Sequence, residues 1–236
     1  MVSEIIFNGP EGRLEARYHQ SEEKNAPIAL VLHPHPLHGG TMNNKVVYNT
    51  FHTLSDNKFS VLRFNFPGVG NSQGAYDHGV GELMAAAAAL DWLQLQNPDA
   101  SGCWVTGFSF GAWIALQLLM RRPEILGFIA ISPPANKYDF NFLSPCPAQG
   151  LIIQGTADEI VPEPVAYNLF EKLDKQRNSN VEYCPINGAD HFYTTKLEDL
   201  KSAIDSYIKP RISTNPMPRK LKRDRRRRQI AVGESA

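Results

Sequence analysis

Cysteine is scarce in this chain. Cys103, Cys146 and Cys184 are an odd number and fall at no motif spacing. They argue against a disulfide framework and agree with a reducing compartment. Long apolar runs are also missing. The most apolar helical stretch, residues 83–95, is interrupted by Asp91 and is too short to span a bilayer. The opening Met1-Val2-Ser3-Glu4-Ile5 has no basic region followed by an apolar run, so no signal peptide is read and a cytoplasmic location is expected. There is no internal repeat. Net charge is absent as well, 24 basic residues against 24 acidic, but the balance is uneven along the chain. Residues 209–228 carry ten Lys or Arg and one acid, Asp224, whereas residues 1–208 hold 14 basic and 22 acidic side chains, a net of −8.

What remains is an ordinary globular composition, 42% apolar and 20% charged in 236 residues, enough for one domain with a substantial core. Residues 3–8 and 13–19 flank Gly9-Pro10-Glu11-Gly12 and read as a hairpin. Further strands are expected at 28–32, 59–64, around Trp104, and at 126–131, 150–154 and 181–184. Helices are expected at 44–56, 77–96, 110–121, 165–173 and 196–208. Such alternation after an opening hairpin predicts an α/β fold, a mostly parallel sheet with helices on both faces. The division expected is a domain at 1–209 and a basic tail at 210–236, whose prolines and like charges read as disorder. Such a tail makes at most a weak contact with nucleic acid or an anionic membrane; a solvated extension with no specific partner is the plainer reading.

The chemistry concentrates at Gly107-Phe108-Ser109-Phe110-Gly111, a Gly-x-Ser-x-Gly pattern between an apolar, β-branched stretch and a helical one. A strand, a tight turn bearing serine and then a helix is the context of a nucleophile elbow. A serine hydroxyl needs a base, and the base a carboxylate to orient it. His191, in Gly188-Ala189-Asp190-His191, is the only histidine after residue 78, and it follows the last expected strand. Asp158 follows the strand at 150–154; Glu159, Asp190 and Asp139 are the other candidates for the acid. Asp190 adjoins the histidine and is poorly placed to reach the far ring nitrogen, and Asp139 reads as a loop residue. Ser109, Asp158 and His191 lie at the carboxyl ends of strands, where parallel sheets place their sites.

Two backbone N–H groups should hold an oxyanion. One is expected from Phe110. The other is expected from His33-Pro34-His35-Pro36-Leu37-His38-Gly39-Gly40, where the prolines have no N–H, leaving His35 or Leu37, with His35 favoured. Three histidines in this loop invite a metal reading, but no carboxylate or thiolate cluster accompanies them, so no metal and no cofactor are expected. The glycine-rich stretch 65–74 lacks the Lys-Ser/Thr ending of a phosphate loop and reads as a tight turn lining the site.

With these pieces placed, the chain resembles the α/β-hydrolase superfamily through residue 208. The His-Pro-His-Pro-x-x-Gly-Gly loop, Arg63-Phe64-Asn65-Phe66-x-Gly68-x-Gly70-x-Ser72 and Gly107-Phe108-Ser109-Phe110-Gly111-Ala112 look like those of small hydrolases of the dienelactone-hydrolase and acyl-esterase types. The resemblance implies an eight-stranded sheet, a Ser109–His191–Asp158 triad and hydrolysis of a small-molecule acyl ester or thioester. Dienelactone hydrolases proper use cysteine where Ser109 stands, so their substrate does not carry over. Only the 18 residues 132–149 separate two core strands where many members insert a cap, which predicts an open site lined by Phe140, Phe142, Tyr76 and Phe192. A peptidase-type hydrolase, or a non-catalytic scaffold acting through its basic tail, is the competing reading.

Overall fold

The computed structural model describes residues 2–213. Among these, eight strands form one sheet. An antiparallel hairpin, β1 (Val2–Gly9) and β2 (Gly12–His19), opens it. Then follow β3 (Ile28–Leu32), α1 (Lys45–Asp56), β4 (Ser60–Phe64), α2 (Val80–Gln96), β5 (Cys103–Phe108) and α3 (Phe110–Leu119). β6 (Ile125–Ile131), β7 (Gln149–Gly155), α4 (Glu163–Asp174), β8 (Val181–Ile186) and α5 (Leu197–Ser213) complete the order. The spatial order is β1-β2-β4-β3-β5-β6-β7-β8, parallel from β4 onward. No helix among the described residues is long and apolar enough to cross a membrane.

Strand periodicity divides the core. Ile28, Leu30 and Leu32 of β3 face one cluster, with α2, α3 and α4; Ala29 and Val31 face the other, with α1 and α5. Both faces are covered, so β3, β4 and β5 are buried at every position. α3 is buried almost all round, as its sequence Phe-Gly-Ala-Trp-Ile-Ala-Leu-Gln-Leu-Leu requires. Between β6 and β7 the chain forms turns and no cap.

Two helix limits differ from expectation. α2 starts at Val80, not at residue 77, because His78 and Gly79 have φ of 50° and 99° and form a turn. Glu82 accepts hydrogen bonds there from the Asp77 N–H at 3.0 Å and the Gly79 N–H at 2.7 Å, so it caps the helix. α5 runs through Pro210 to Ser213, past the boundary expected at 209. Arg211 accounts for the extra turn: it donates to the Tyr207 carbonyl at 2.7 Å and to Gln149 at 3.2 Å, and pairs with Glu182 at 2.5 Å. The basic tail beyond Ser213 lies outside the described residues.

His33 ties the carboxyl ends of β3 and β4 together. It is fully buried; its Nδ1 donates to the Pro34 carbonyl at 2.7 Å and its Nε2 accepts from the Phe66 N–H at 2.9 Å. The bond accepted by Nε2 requires the neutral ring. Burial pushes its pKa down to about 3 from the ordinary 6.5, against the opposing pull of the Pro34 carbonyl. Between these values the unfolded chain binds more protons, so stability falls as pH drops from 6.5 towards 3, by at most about 1.4 kcal/mol per pH unit for this group. Urea unfolding across this window should show that slope, and His33→Gln should flatten it while lowering stability at neutral pH. Equal slopes in the two proteins would remove His33 as the cause.

Candidate active site

Ser109 sits between β5 and α3 with φ 54° and ψ −119°, a conformation that costs an L-residue of order 1–3 kcal/mol. Close packing holds it there. A Cβ on Gly107 would lie 2.2 Å from the Gly111 carbonyl oxygen; one on Gly111 would lie 2.5 Å from the Leu32 oxygen and 2.6 Å from the His33 oxygen. Without those side chains, α3 begins directly against the end of β3. The hydroxyl is thereby partly exposed at the N-terminus of α3, where free N–H groups favour negative charge.

His191 arrives on the loop after β8, and its Nε2 lies 3.2 Å from Ser109 Oγ. Its Nδ1 is 2.7 Å from Asp158 Oδ2, on the loop after β7. The carboxylate can only accept, so Nδ1 carries the proton and Nε2 is left to accept from the serine. The two loops are bonded to each other: the Ala157 N–H donates to the Ala189 carbonyl at 3.0 Å and the Thr156 N–H to the Ile186 carbonyl at 3.1 Å. Phe108, the last residue of β5, packs its ring 5.0 Å from that of His191.

Asp158 is buried with an unusually complete set of donors. Besides His191, its Oδ2 accepts from Gln154 Nε2 at 3.0 Å, and its Oδ1 accepts from the N–H groups of Ile160 at 2.9 Å and Val161 at 2.8 Å. Burial raises its pKa, but the bonds from His191, Val161 and Gln154 outweigh that and hold it below the usual carboxylate range. The other candidate acids are engaged elsewhere or point away: Asp190 accepts from the Thr194 N–H and hydroxyl, each at 2.7 Å, Asp139 from the Asn141 N–H at 2.8 Å, and Glu159 is exposed.

The loop after β3 forms the opposite wall. The amides of His35 and Phe110 have no acceptor among the described residues, whereas the Leu37 N–H donates to His35 Nδ1 at 3.2 Å. His35 Nε2 meets the Tyr76 hydroxyl at 3.1 Å. With Nδ1 accepting, the ring is neutral and Nε2 is the donor; burial first, then His38 and Lys137, depress its pKa in the same sense. His33 and His35 therefore do unlike jobs, and no group of metal-binding side chains occurs among the described residues.

Ser109, His191, His35, Phe110 and Phe192 line one cavity of about 390 Å³. Three of the expected aromatics, Phe140, Phe142 and Tyr76, do not. Phe140 is buried in the core and stacks on Phe142, because the chain has turned inward by then. Tyr76 stands behind His35. Tyr138, Lys137 and Ile160 take their place, and sequence patterning gave no sign of them. Nor does the stretch 65–74 line the site; it folds around Glu15, which accepts from Asn65 Nδ2 and from the Asn71 N–H at 2.9 Å and Nδ2 at 2.8 Å.

A family model described as the alpha/beta hydrolase fold matches residues 37–150. An uncharacterized protein of Rickettsia prowazekii is 56% identical over 211 residues, 88% of this chain and 89% of that protein. The crystal structure of a protein of unknown function from Agrobacterium tumefaciens, a candidate alpha/beta hydrolase, matches with a TM-score of 0.87 and 52% identity over 92% of this chain and 100% of that one. A serine hydrolase without lid from Xanthomonas campestris matches with a TM-score of 0.81 and 35% identity, over 92% and 97%.

The contacts at Gly111 give a direct test of the elbow. Gly111→Ala drives a methyl group into two backbone carbonyls that cannot move independently of β3. Urea unfolding should show a loss of roughly 3 kcal/mol or more. A loss below about 0.5 kcal/mol, the range of an ordinary surface change, would contradict the packing described.

Proposed function

The chain belongs to the alpha/beta hydrolase family in its lidless form, and from that premise we propose that it cleaves a carboxylic ester or thioester through an acyl-serine intermediate. The observation that carries this reading is the continuous chain of hydrogen bonds from Ser109 Oγ through His191 to buried Asp158, opening on a cavity. In this reading Ser109 Oγ attacks the acyl carbonyl carbon as its proton passes to His191 Nε2. The Asp158 carboxylate stabilises the imidazolium and keeps the ring in the one useful tautomer. The carbonyl oxygen becomes an oxyanion held by the N–H groups of His35 and Phe110, whose amides are otherwise unused. Collapse of this tetrahedral species breaks the bond to the leaving alcohol or thiol, which takes the proton from His191. Water then repeats the sequence on the acyl-serine, releasing the carboxylic acid and restoring the hydroxyl.

An ester or thioester fits better than a peptide. A peptidase needs an extended groove to fix several residues on either side of the bond, whereas this cavity holds about 390 Å³. The free cysteines agree with a cytoplasmic location.

Fluorophosphonate labelling at neutral pH tests the nucleophile: wild type should label and Ser109→Ala should not. A folded wild-type protein that resists labelling would sink the proposal. Asp158→Asn tests the acid separately. An amide can donate to His191 Nδ1, which turns the Nε2 proton towards Ser109 and removes the base, so kcat on an aryl ester should fall about 10⁴-fold. Retention of a tenth of the wild-type rate would exclude the role assigned to Asp158.

A further inference from the structure

We propose that the substrate carries an anionic group beside its scissile bond and that Lys137 receives it. This rests on the hydrolase reading and adds the substrate class. The body of the chain is acidic, with 22 acids against 14 bases in residues 1–208. Yet the cavity at Ser109 is lined by no carboxylate, and its one formally charged lining residue is Lys137. Its other polar lining groups include His38, Asn44 and Tyr138, each able to donate a hydrogen bond. α3 points its positive end into the same space.

Lys137 stands on an anchored turn. Its N–H and that of Tyr138 both donate to the Pro134 carbonyl at 3.0 Å. Tyr138 stacks on Trp113 with ring centroids 4.3 Å apart, and Trp113 Nε1 donates to the Asp139 carbonyl at 3.1 Å. The lysine side chain is exposed and forms no ion pair with a carboxylate among the described residues. The acids nearby do not compete for it within the cavity. Asp158 is enclosed behind His191 by its four donors, Asp190 is held by Thr194, and Asp139 and Glu159 lie outside the cavity lining. A cation on a fixed turn, in a cavity without an opposing charge, is a receptor for an anion on whatever reaches Ser109.

The test compares matched esters that differ by one carboxylate. For an anion on the acyl side, 4-nitrophenyl hydrogen glutarate is set against 4-nitrophenyl butyrate. For one on the leaving group, the butyryl ester of 3-hydroxybenzoate is set against phenyl butyrate. The ratio of kcat/KM, anionic over neutral, is measured in wild type, Lys137→Met and Lys137→Glu. Comparing variants cancels the intrinsic reactivities of the esters. In one of the two pairs the ratio should fall about two- to fivefold in Lys137→Met and further in Lys137→Glu, and the pair affected identifies the side that bears the anion. Raising ionic strength to about 0.3 M should compress the difference. Neutral esters hydrolysed by wild type, with both ratios unmoved by either substitution, would overturn the inference and leave the hydrolase reading intact. A folded wild type that hydrolyses none of the four esters would overturn the hydrolase reading, and the inference with it.

Discussion

The contact between the start of α3 and the end of β3 is the constraint on which the site depends. Backbone meets backbone there, at separations that leave no room for a Cβ on Gly107 or Gly111. Because α3 cannot retreat, the chain between β5 and the helix has one residue in which to reverse direction, and that residue, Ser109, takes a positive φ. The same approach lays the Phe110 amide beside the loop that follows β3. Strain at one residue and proximity of two loops are thus a single packing fact. The energy that sustains it comes from α3 itself, which buries eight of its ten residues between the sheet and α2.

The other half of the site solves a different problem, the cost of an ionised carboxylate out of water. An unpaired buried charge costs several kcal/mol, so Asp158 is stable as an anion only because four donors converge on it. Two of them are backbone groups of the residues just after it, which makes the turn at 158–161 a consequence of the charge as much as its support. Gln154, the penultimate residue of β7, supplies a third and also donates to the Val161 carbonyl at 2.8 Å, closing the turn. His191 is the fourth donor. Its orientation is therefore coupled to solvation of the acid, and a ring turned away from Ser109 would also leave Asp158 short of a partner.

Much of this was legible in the chain because it is local or periodic. The order of strands and helices followed from apolar runs and their stops, and the elbow from five consecutive residues. Failures came where long-range contacts decide. Phe140 and Tyr138 are equally aromatic, and only the inward path of the chain after Pro134 sends one into the core and the other to the rim. Nothing in the local pattern marks Glu82 as buried; it is so because the turn at 77–79 offers it two N–H groups. Arg211 reads as the beginning of a basic tail until Glu182 and Gln149, from two sheet strands, are brought against it. The His35 and Phe110 amides were named from the elbow pattern and from the prolines beside His35, but that neither has an acceptor among the described residues depends on neighbours the sequence does not show.

An open site changes where selectivity must come from. A cap encloses substrate, excludes water and discriminates by shape over most of the ligand surface. Here the connection between β6 and β7 is a run of turns, and the cavity is walled by residues from separate loops: Pro34 to Gly40, the elbow, Pro134 to Tyr138, Ile160 and Phe192. Apolar contact in a cavity without a cap distinguishes ligands weakly where much of a bound molecule stays in water. Directional and charged groups on anchored backbone keep more of their effect under those conditions. Tyr76 locks the ring of His35, Trp113 locks Tyr138, and both are ring contacts that prepare the rim before any ligand arrives. On the proposed function, preorganised polar groups on anchored turns would do in this fold what enclosure does under a cap, and recognition would fall to a few side chains.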